Sequence, residues 1–330
     1  MAGDALLVIG ASAGGVEALV ELVAGLPPDL PAAVLVTVHT GDRPRTTLGR
    51  VLARAGPLPA DQAADGEPLR AGRILVAAPD RHLLVRRDGG GDTAVLSTGP
   101  KVNRHRPAVD AMFASAVRAR GPRVVATVLS GALDDGAVGA ALVDRAGGRV
   151  LVQDPADALF DSMPRAAVAA VPDARAAPAA ELGRLLATTV QELPVGGDGM
   201  TDTPDGPGGD DGMAASRDPA YLRPDESAAT RMGCPECGGG LARIDLPHIG
   251  YFRCHVGHQY SPRSLEAAQR EAAEAKLWTA IAALEEHAAL ARFLEQGADS
   301  EQPSEYALRA EHSAETARLM RERLLGGRAT

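Results

Sequence analysis

The chain has 330 residues, of which 45% are hydrophobic, 23% charged and only 3% aromatic, with a formal net charge of −9. That length accommodates one substantial α/β core and a smaller module, and the near absence of rings leaves Val, Leu, Ile and Ala to build buried parallel strands. The negative balance speaks against a non-specific nucleic-acid binder; no apolar run reaches the length of a bilayer span and no signal peptide is evident, so the expected location is the cytoplasm without membrane insertion.

In chain order, residues 6–11 (LLVIGA), 33–39 (AVLVTVH), 124–132 (VVATVLSGA) and 149–155 (RVLVQDP) read as buried strands. Residues 14–26, 46–55, 108–120 and 136–146 read as the helices between them. This alternation predicts right-handed crossovers and a Rossmann-like, doubly wound parallel sheet. The runs RILVAAP, HLLVRR and TAVLSTG within residues 73–99, broken by Pro79-Asp80 and Gly89-Gly90-Gly91, predict an antiparallel hairpin or edge insertion. Residues 1–193 thus form the first domain.

Residues 194–231 turn to Gly, Pro and Asp, a composition that cannot offset its chain entropy by burial, and read as a disordered acidic linker. Residues 232–260 hold all three cysteines, and 261–326 read as a helical hairpin. Ser261 is the expected N-cap of its first helix, with Pro262 at the first helical position. Leu277, Ile281, Leu284, Ala288 and Ala291 form one seam, and Tyr306, Ala310, Ala317, Met320 and Leu324 the other. A dimerising coiled coil is the alternative use of these stripes.

The segment LLVIGASAGGVEAL places Ser12 in a turn of small residues between a strand and a helix, where open α/β sheets hold their sites. The helix N-terminus behind it suits an anion or a developing oxyanion. Nucleotide binding competes for such a turn. Against it stand the spacing Gly10-x-x-x-Gly14-Gly15, the absence of a following Lys-Ser/Thr, and His39 at the end of the second strand in place of a ribose-binding carboxylate. Asp134 and Asp135 follow the next buried strand and precede a glycine, as a helix cap would. A hydroxyl, an imidazole and a carboxylate at the carboxyl ends of three strands converge on one cleft, which is the requirement for an activated serine nucleophile.

Read in order, IGASAGGVEAL, TVHTG, PKVNRHRPAVDAMF, LSGALDDGAVGA and MPRAA resemble the hallmark segments of the catalytic domain of CheB-type protein-glutamate methylesterases, over residues 4–193. The resemblance implies a Rossmann-like sheet with an antiparallel hairpin, and hydrolysis of glutamyl methyl esters on methylated chemotaxis receptors by water. Methanol is released, often with deamidation of glutamines as a second activity. It implies Ser12 as nucleophile, His39 as general base and then acid, and Asp135 as the orienting carboxylate, with the backbone N–H groups of Ala132 and Ala13 at the oxyanion. No cofactor is implied for this chemistry. Ala132 stands where the family usually has methionine, Ala13 where threonine is common, and Thr40-Gly41-Asp42-Arg43 where a Met-Pro-Pro-type loop follows the histidine. Family members in chemotaxis usually carry a receiver domain ahead of this one; none is expected here, nor control by phosphorylation within the chain. Arg104, His105 and Arg106 are candidates for an acidic-substrate groove or for a purely structural loop. Arg165 is expected to pair locally and His82 to be a loop histidine.

Cys234-Pro-Glu-Cys237-Gly-Gly and Cys254-His255-Val256-Gly257-His258 have the spacing of a zinc ribbon. Three thiolates and one imidazole make a closed structural zinc site; the fourth ligand is His255 or His258, and the Gly257 turn together with similarity to C-terminal FRCxVGHxxS segments favours His258. The module is expected to serve interaction with a signalling partner or regulation. A catalytically inactive scaffold working through that module is the rival reading.

Overall fold

The computed structural model describes residues 5–39, 48–88, 91–193, 228–295 and 305–326. Within them the chain divides into two compact units, Met1–Leu265 and Glu266–Thr330. The residues read as an acidic linker up to 227, and the Thr40–Arg43 loop, lie outside the described residues.

The first unit is built on strands β1 (Ala5–Ala11), β2 (Ala32–Val38), β3 (Ala60–Gln62), β4 (Ile74–Val76), β7 (Val124–Val128), β8 (Arg149–Gln153) and β9 (Arg175–Ala177). They form one sheet in the order β3-β4-β2-β1-β7-β8-β9, every neighbouring pair parallel. Helices α1 (Gly15–Ala24), α2 (Leu48–Ala55) and α6 (Ala179–Gln191) enclose one face; α3 (Val109–Arg120), α4 (Ala137–Arg145) and α5 (Ser162–Ala170) enclose the other. Because successive strand residues point to opposite faces, Leu7 and Ile9 join Leu19, Leu22 and Leu186 in one core layer, while Leu6 and Val8 join Met112, Phe113 and Val138 in the other. With both faces covered, the strands carry uninterrupted apolar runs.

One local reading is corrected. Residues 74–76 of the stretch assigned to an antiparallel insertion pair in parallel with β2 and belong to the main sheet. Only β5 (His82–Asp88) and β6 (Gly91–Ser97) form the antiparallel hairpin, a separate two-stranded sheet. Parallel pairing wins for Ile74, Leu75 and Val76 because their position between β2 and β3 buries all three on both faces.

The cysteine-bearing segment is a four-stranded antiparallel sheet: β10 (Ala228–Gly233), β11 (Gly240–Asp245), β12 (Gly250–Cys254) and β13 (Gln259–Tyr260). Its first strand begins inside the stretch read as linker. This sheet is not an isolated piece, since Leu246 and Tyr251 are buried in the same core layer as Phe113 and Val138. Helix Pro262–Glu295 follows directly.

In the second unit that helix and helix Glu305–Gly326 run antiparallel, with His287 Nδ1 2.9 Å from Ser313 Oγ and Arg321 paired to Glu285 at 2.7 Å. Ile281, Ala288, Ala291, Ala310 and Ala317 are buried along the seam, whereas Leu277 and Tyr306 remain exposed. No helix among the described residues is long and apolar enough to cross a membrane.

Candidate active site

The register of β1 against β2 runs from Ala5 opposite Ala32 to Ala11 opposite Val38, so the next residues of each strand, Ser12 and His39, emerge side by side. Strand β7 flanks β1 on its other side, and the chain crosses from one half of the sheet to the other at this point, which opens a crevice beyond the carboxyl ends. The Ser12 N–H donates to the Ser130 carbonyl at 2.9 Å and the His39 N–H to the Ala11 carbonyl at 3.2 Å, tying the three strand ends together. Gly14, at φ 69°, turns the chain into α1 in a conformation that favours glycine. A side chain at Gly131 would meet Met163 Sδ at 2.0 Å and Ser12 Cβ at 2.9 Å, so only glycine lets the β7 loop approach the serine.

The side chains fall in one row. His39 Nδ1 lies 3.2 Å from Ser12 Oγ, and His39 Nε2 lies 2.7 Å from Asp135 Oδ2. With Nε2 carrying the proton and donating to the carboxylate, Nδ1 presents its lone pair to the hydroxyl, the tautomer a general base needs. Both His39 and Asp135 side chains are almost wholly enclosed.

Asp135 is held from four directions. Its Oδ2 also accepts from the Val109 N–H at 2.7 Å; Oδ1 accepts from the Asp110 N–H at 3.0 Å and from Asn103 Nδ2 at 2.8 Å. Burial alone would raise its pKa, but the hydrogen bond and charge interaction with His39, together with the Asp110 and Val109 N–H groups, outweigh burial and hold the carboxyl well below its ordinary value. Asp110, enclosed beside that charge, is pushed well above its ordinary value, first by burial and then by Asp135, despite donation from Gly139 N–H and Asn103.

Among the described residues, neither the Ala13 nor the Ala132 N–H has an intramolecular acceptor, and Ala132 is exposed at the rim. The Ala13 carbonyl accepts from Ser130 Oγ at 2.8 Å, fixing that peptide. Ser130, the other hydroxyl nearby, also accepts from the Phe160 N–H at 3.0 Å and is buried, so its oxygen is committed to the scaffold.

The arginine–histidine stretch divides. His105 stacks on His39, ring centroids 3.7 Å apart and planes 13° from parallel. Burial pushes its imidazole down to about 4, and the neighbouring His39 adds to the shift, so His105 is a neutral ring at pH 7. Arg106 donates to Asp80 Oδ1 and to the Thr98 and Gly99 carbonyls, all at 2.9 Å, which occupies its guanidinium within the fold. Arg104, at φ 69°, is half-buried. Arg165 pairs with Asp161 one turn away, and His82 is fully buried at the start of β5 with Nε2 3.0 Å from the Pro100 carbonyl.

Sequence reasoning missed Asn103, Asp110 and the stacking role of His105. Their signal was present in NRHRPAVD, but Asp135 lies 25 residues from Asp110 and 32 from Asn103, His39 is farther still from His105, and no periodicity points to these partners.

Cys234, Cys237, Cys254 and His258 bring one ligand atom each within 4.8 Å of one another. The Cys237 and Cys254 sulfurs are 3.7 Å apart, and His258 Nδ1 stands 3.7 Å from Cys234 Sγ and 3.5 Å from Cys254 Sγ. Tetrahedral coordination at about 2.3 Å from sulfur and about 2.0 Å from nitrogen requires separations of roughly 3.5–3.8 Å, so the donor set fits such a metal. His255 instead lies against Gly239, where an added Cβ would meet its ring at 2.6 Å.

An α/β sheet with a serine, a histidine and an aspartate in line at its topological switch has the geometry that serine hydrolases use. The family model for CheB methylesterase matches residues 7–186, more than half of the chain, and the chain belongs to that family. Among curated relatives, a protein-glutamate methylesterase/protein-glutamine glutaminase of Anaeromyxobacter dehalogenans is 41% identical over 164 residues, covering 49% of this chain and 46% of that protein. A second, from Rhizobium johnstonii, is 33% identical over 190 residues, covering 58% and 52%. The chain therefore spans about half the length of the curated relatives it matches. The crystal structure of the Thermotoga maritima CheB methylesterase catalytic domain aligns with a TM-score of 0.54 at 28% identity, covering 57% of this chain and 99% of that one.

Proposed function

We propose that the chain is a serine carboxylic ester hydrolase that removes methyl groups from glutamate side chains of methylated chemotaxis-type receptors in the cytoplasm, with glutamine deamidation as a companion activity. The observation that carries this reading is the line Ser12 Oγ, His39 Nδ1, His39 Nε2, Asp135 Oδ2, with gaps of 3.2 and 2.7 Å, in a chain of the CheB methylesterase family.

Ser12 Oγ attacks the ester carbonyl as its proton passes to His39 Nδ1. The imidazolium is stabilised through Nε2–H by Asp135, whose charge is fixed by Val109, Asp110 and Asn103. The tetrahedral oxyanion is met by the Ala13 and Ala132 N–H groups. Collapse expels methoxide, which takes the proton from His39 and leaves as methanol. Water, deprotonated by His39 in turn, then cleaves the glutamyl-serine ester to free glutamate and Ser12. A glutamine side chain follows the same course with ammonia as the leaving group.

The Cys234, Cys237, Cys254 and His258 set would hold a structural zinc: four protein ligands close the tetrahedron and leave no position for substrate. The helical pair beyond it is assigned to contacts with a signalling partner.

Methanol release from methylated receptor membranes by wild type and by Ser12→Ala tests the reading. A loss of about three or more orders of magnitude in the variant is expected. Equal release by the two would refute it.

A further inference from the structure

The segment Lys101–Asp110 holds both working partners of Ser12. Its His105 ring lies on His39, and its Asn103 amide and its Val109 and Asp110 N–H groups hold the Asp135 carboxylate. The segment is not at rest by itself. Asn103 and Arg104 are consecutive left-handed residues, at φ 51° and 69°; asparagine enters that region readily, but arginine seldom does so without tertiary contacts to hold it.

The contacts that hold it come from the cysteine-bearing sheet. The Asn103 N–H donates to the Gln259 carbonyl at 2.8 Å, and the Gln259 N–H reaches the Lys101 carbonyl at 3.4 Å, so β13 pairs with the segment. The Asn103 side chain is used at every polar position. Nδ2 donates to Asp110 Oδ2 at 2.6 Å and Asp135 Oδ1 at 2.8 Å; Oδ1 accepts from the Ser261 N–H at 2.7 Å and lies 3.1 Å from Ser261 Oγ. Asp134, the residue before the orienting carboxylate, is caught in the same way. Its Oδ1 accepts from Ser261 Oγ at 2.5 Å, Ser264 N–H at 3.1 Å and Ser264 Oγ at 2.6 Å, and its Oδ2 from the Arg263 N–H at 2.8 Å.

The cap of helix Pro262–Glu295 therefore comes from Asp134, 127 residues earlier, and not from Ser261, whose hydroxyl donates outward. An amide fully engaged on both sides has one rotamer and one orientation, and the buried network is satisfied throughout, the condition under which such networks rigidify a site. The cysteine-bearing sheet and Ser261 lie outside residues 7–186, which the family model matches.

The geometry points to a positioning function for this C-terminal segment: β13 and Ser261 lock Asn103, and Asn103 in turn sets the Asp135 carboxylate against His39. The segment is a fixed wall of the esterase centre, and loosening it slows turnover without touching substrate. This rests on the esterase reading for its kinetic consequence, not for its structural one.

The test uses the full chain with Ser261→Ala and Ser264→Ala together, which removes the hydroxyl contacts to Asn103 and Asp134 and leaves Ser12, His39 and Asp135 in place. Methanol release should show kcat reduced about ten- to a hundredfold, the order expected for a small misplacement of a catalytic group, with KM within about twofold. The low-field proton resonance of the His39 Nε2–H facing Asp135 should shift or broaden in the variant. A variant that keeps both wild-type kcat and an unmoved resonance overturns the inference, and so does a loss that appears in KM alone. Should the double variant fail to fold, Ser261→Ala alone is read by the same two measures. The resonance needs no substrate, so a wild type that releases no methanol defeats the esterase reading, and the lock is then judged on the resonance.

Discussion

Replacing Asp135 by Asn is the sharpest perturbation because all four of its hydrogen-bond partners are donors. Oδ2 faces His39 Nε2 and the Val109 N–H; Oδ1 faces Asn103 Nδ2 and the Asp110 N–H. An asparagine amide has one oxygen and one NH2 group. With its oxygen towards His39, the NH2 opposes Asn103 and the Asp110 N–H, leaving two buried donors unpaired at about 1–3 kcal/mol each. With its NH2 towards His39, the ring must take the other tautomer, putting a proton on Nδ1 and removing the lone pair that Ser12 needs. The first orientation costs stability of roughly 2–6 kcal/mol, offset in part because Asp110 loses a charged neighbour. The second costs turnover, by about four orders of magnitude where the same change is made in a serine protease triad, and also leaves the Val109 N–H without its acceptor. Urea unfolding and methanol release on the same preparation read both. A folded Asp135→Asn protein that keeps turnover within about tenfold of wild type, with unchanged stability, would refute the reasoning.

Other expectations follow from single contacts. Gly131→Ala drives a methyl into Met163 Sδ and Ser12 Cβ, so it should lower stability by about 1–3 kcal/mol and depress turnover more than substrate binding, as paired denaturation and kinetic runs would show. His105→Ala removes the ring stacked on His39 and should cost about tenfold in kcat, while His105→Phe, also a neutral ring, should recover most of it; identical rates for the two variants would remove the platform role. Burial pushes His82 down to about 4. The folded value lies below the unfolded value of about 6.5, so the unfolded chain binds more protons between them, and stability should fall as pH drops through that window by roughly 3 kcal/mol from this group. His82→Gln should flatten the slope by about one proton in pH-dependent denaturation. Stripping metal with a strong chelator should lower the unfolding midpoint of the full chain; an unchanged midpoint, with no zinc found by elemental analysis, would argue against the Cys3His site.

The strands flanking the site are legible because the apolar runs Ala5–Ala11 and Ala32–Val38, seven residues each, have the length of a strand buried on both faces and are short for a buried helix. Strand ends then bring Ser12 and His39 together, and the cysteine spacing brings Cys234, Cys237, Cys254 and His258 together. Other features carry no local signal. Strands β3 and β9 have three residues each, too few to show a period, and Asp61 and Gln62 are exposed. Ser261 followed by proline reads as an N-cap, and it fails as one because Asp134 and Asn103 offer better acceptors that only tertiary folding brings near. His105 reads either as a groove residue or as part of a structural loop, and its stacking on His39 has no signal in its neighbours along the chain. In each case the deciding contact is long-range, whereas sequence patterns report on neighbours along the chain.

In the proposed mechanism His39 activates the Ser12 hydroxyl for attack on an acyl carbon. Treatment of the full chain with a serine-directed fluorophosphonate, followed by mass-spectrometric mapping, reads that activation without a receptor substrate. A single adduct on Ser12 is expected, formed far more slowly when His39 is replaced by Gln. Modification of Ser130 instead, or labelling of Ser12 at the same rate with and without the imidazole, would contradict it.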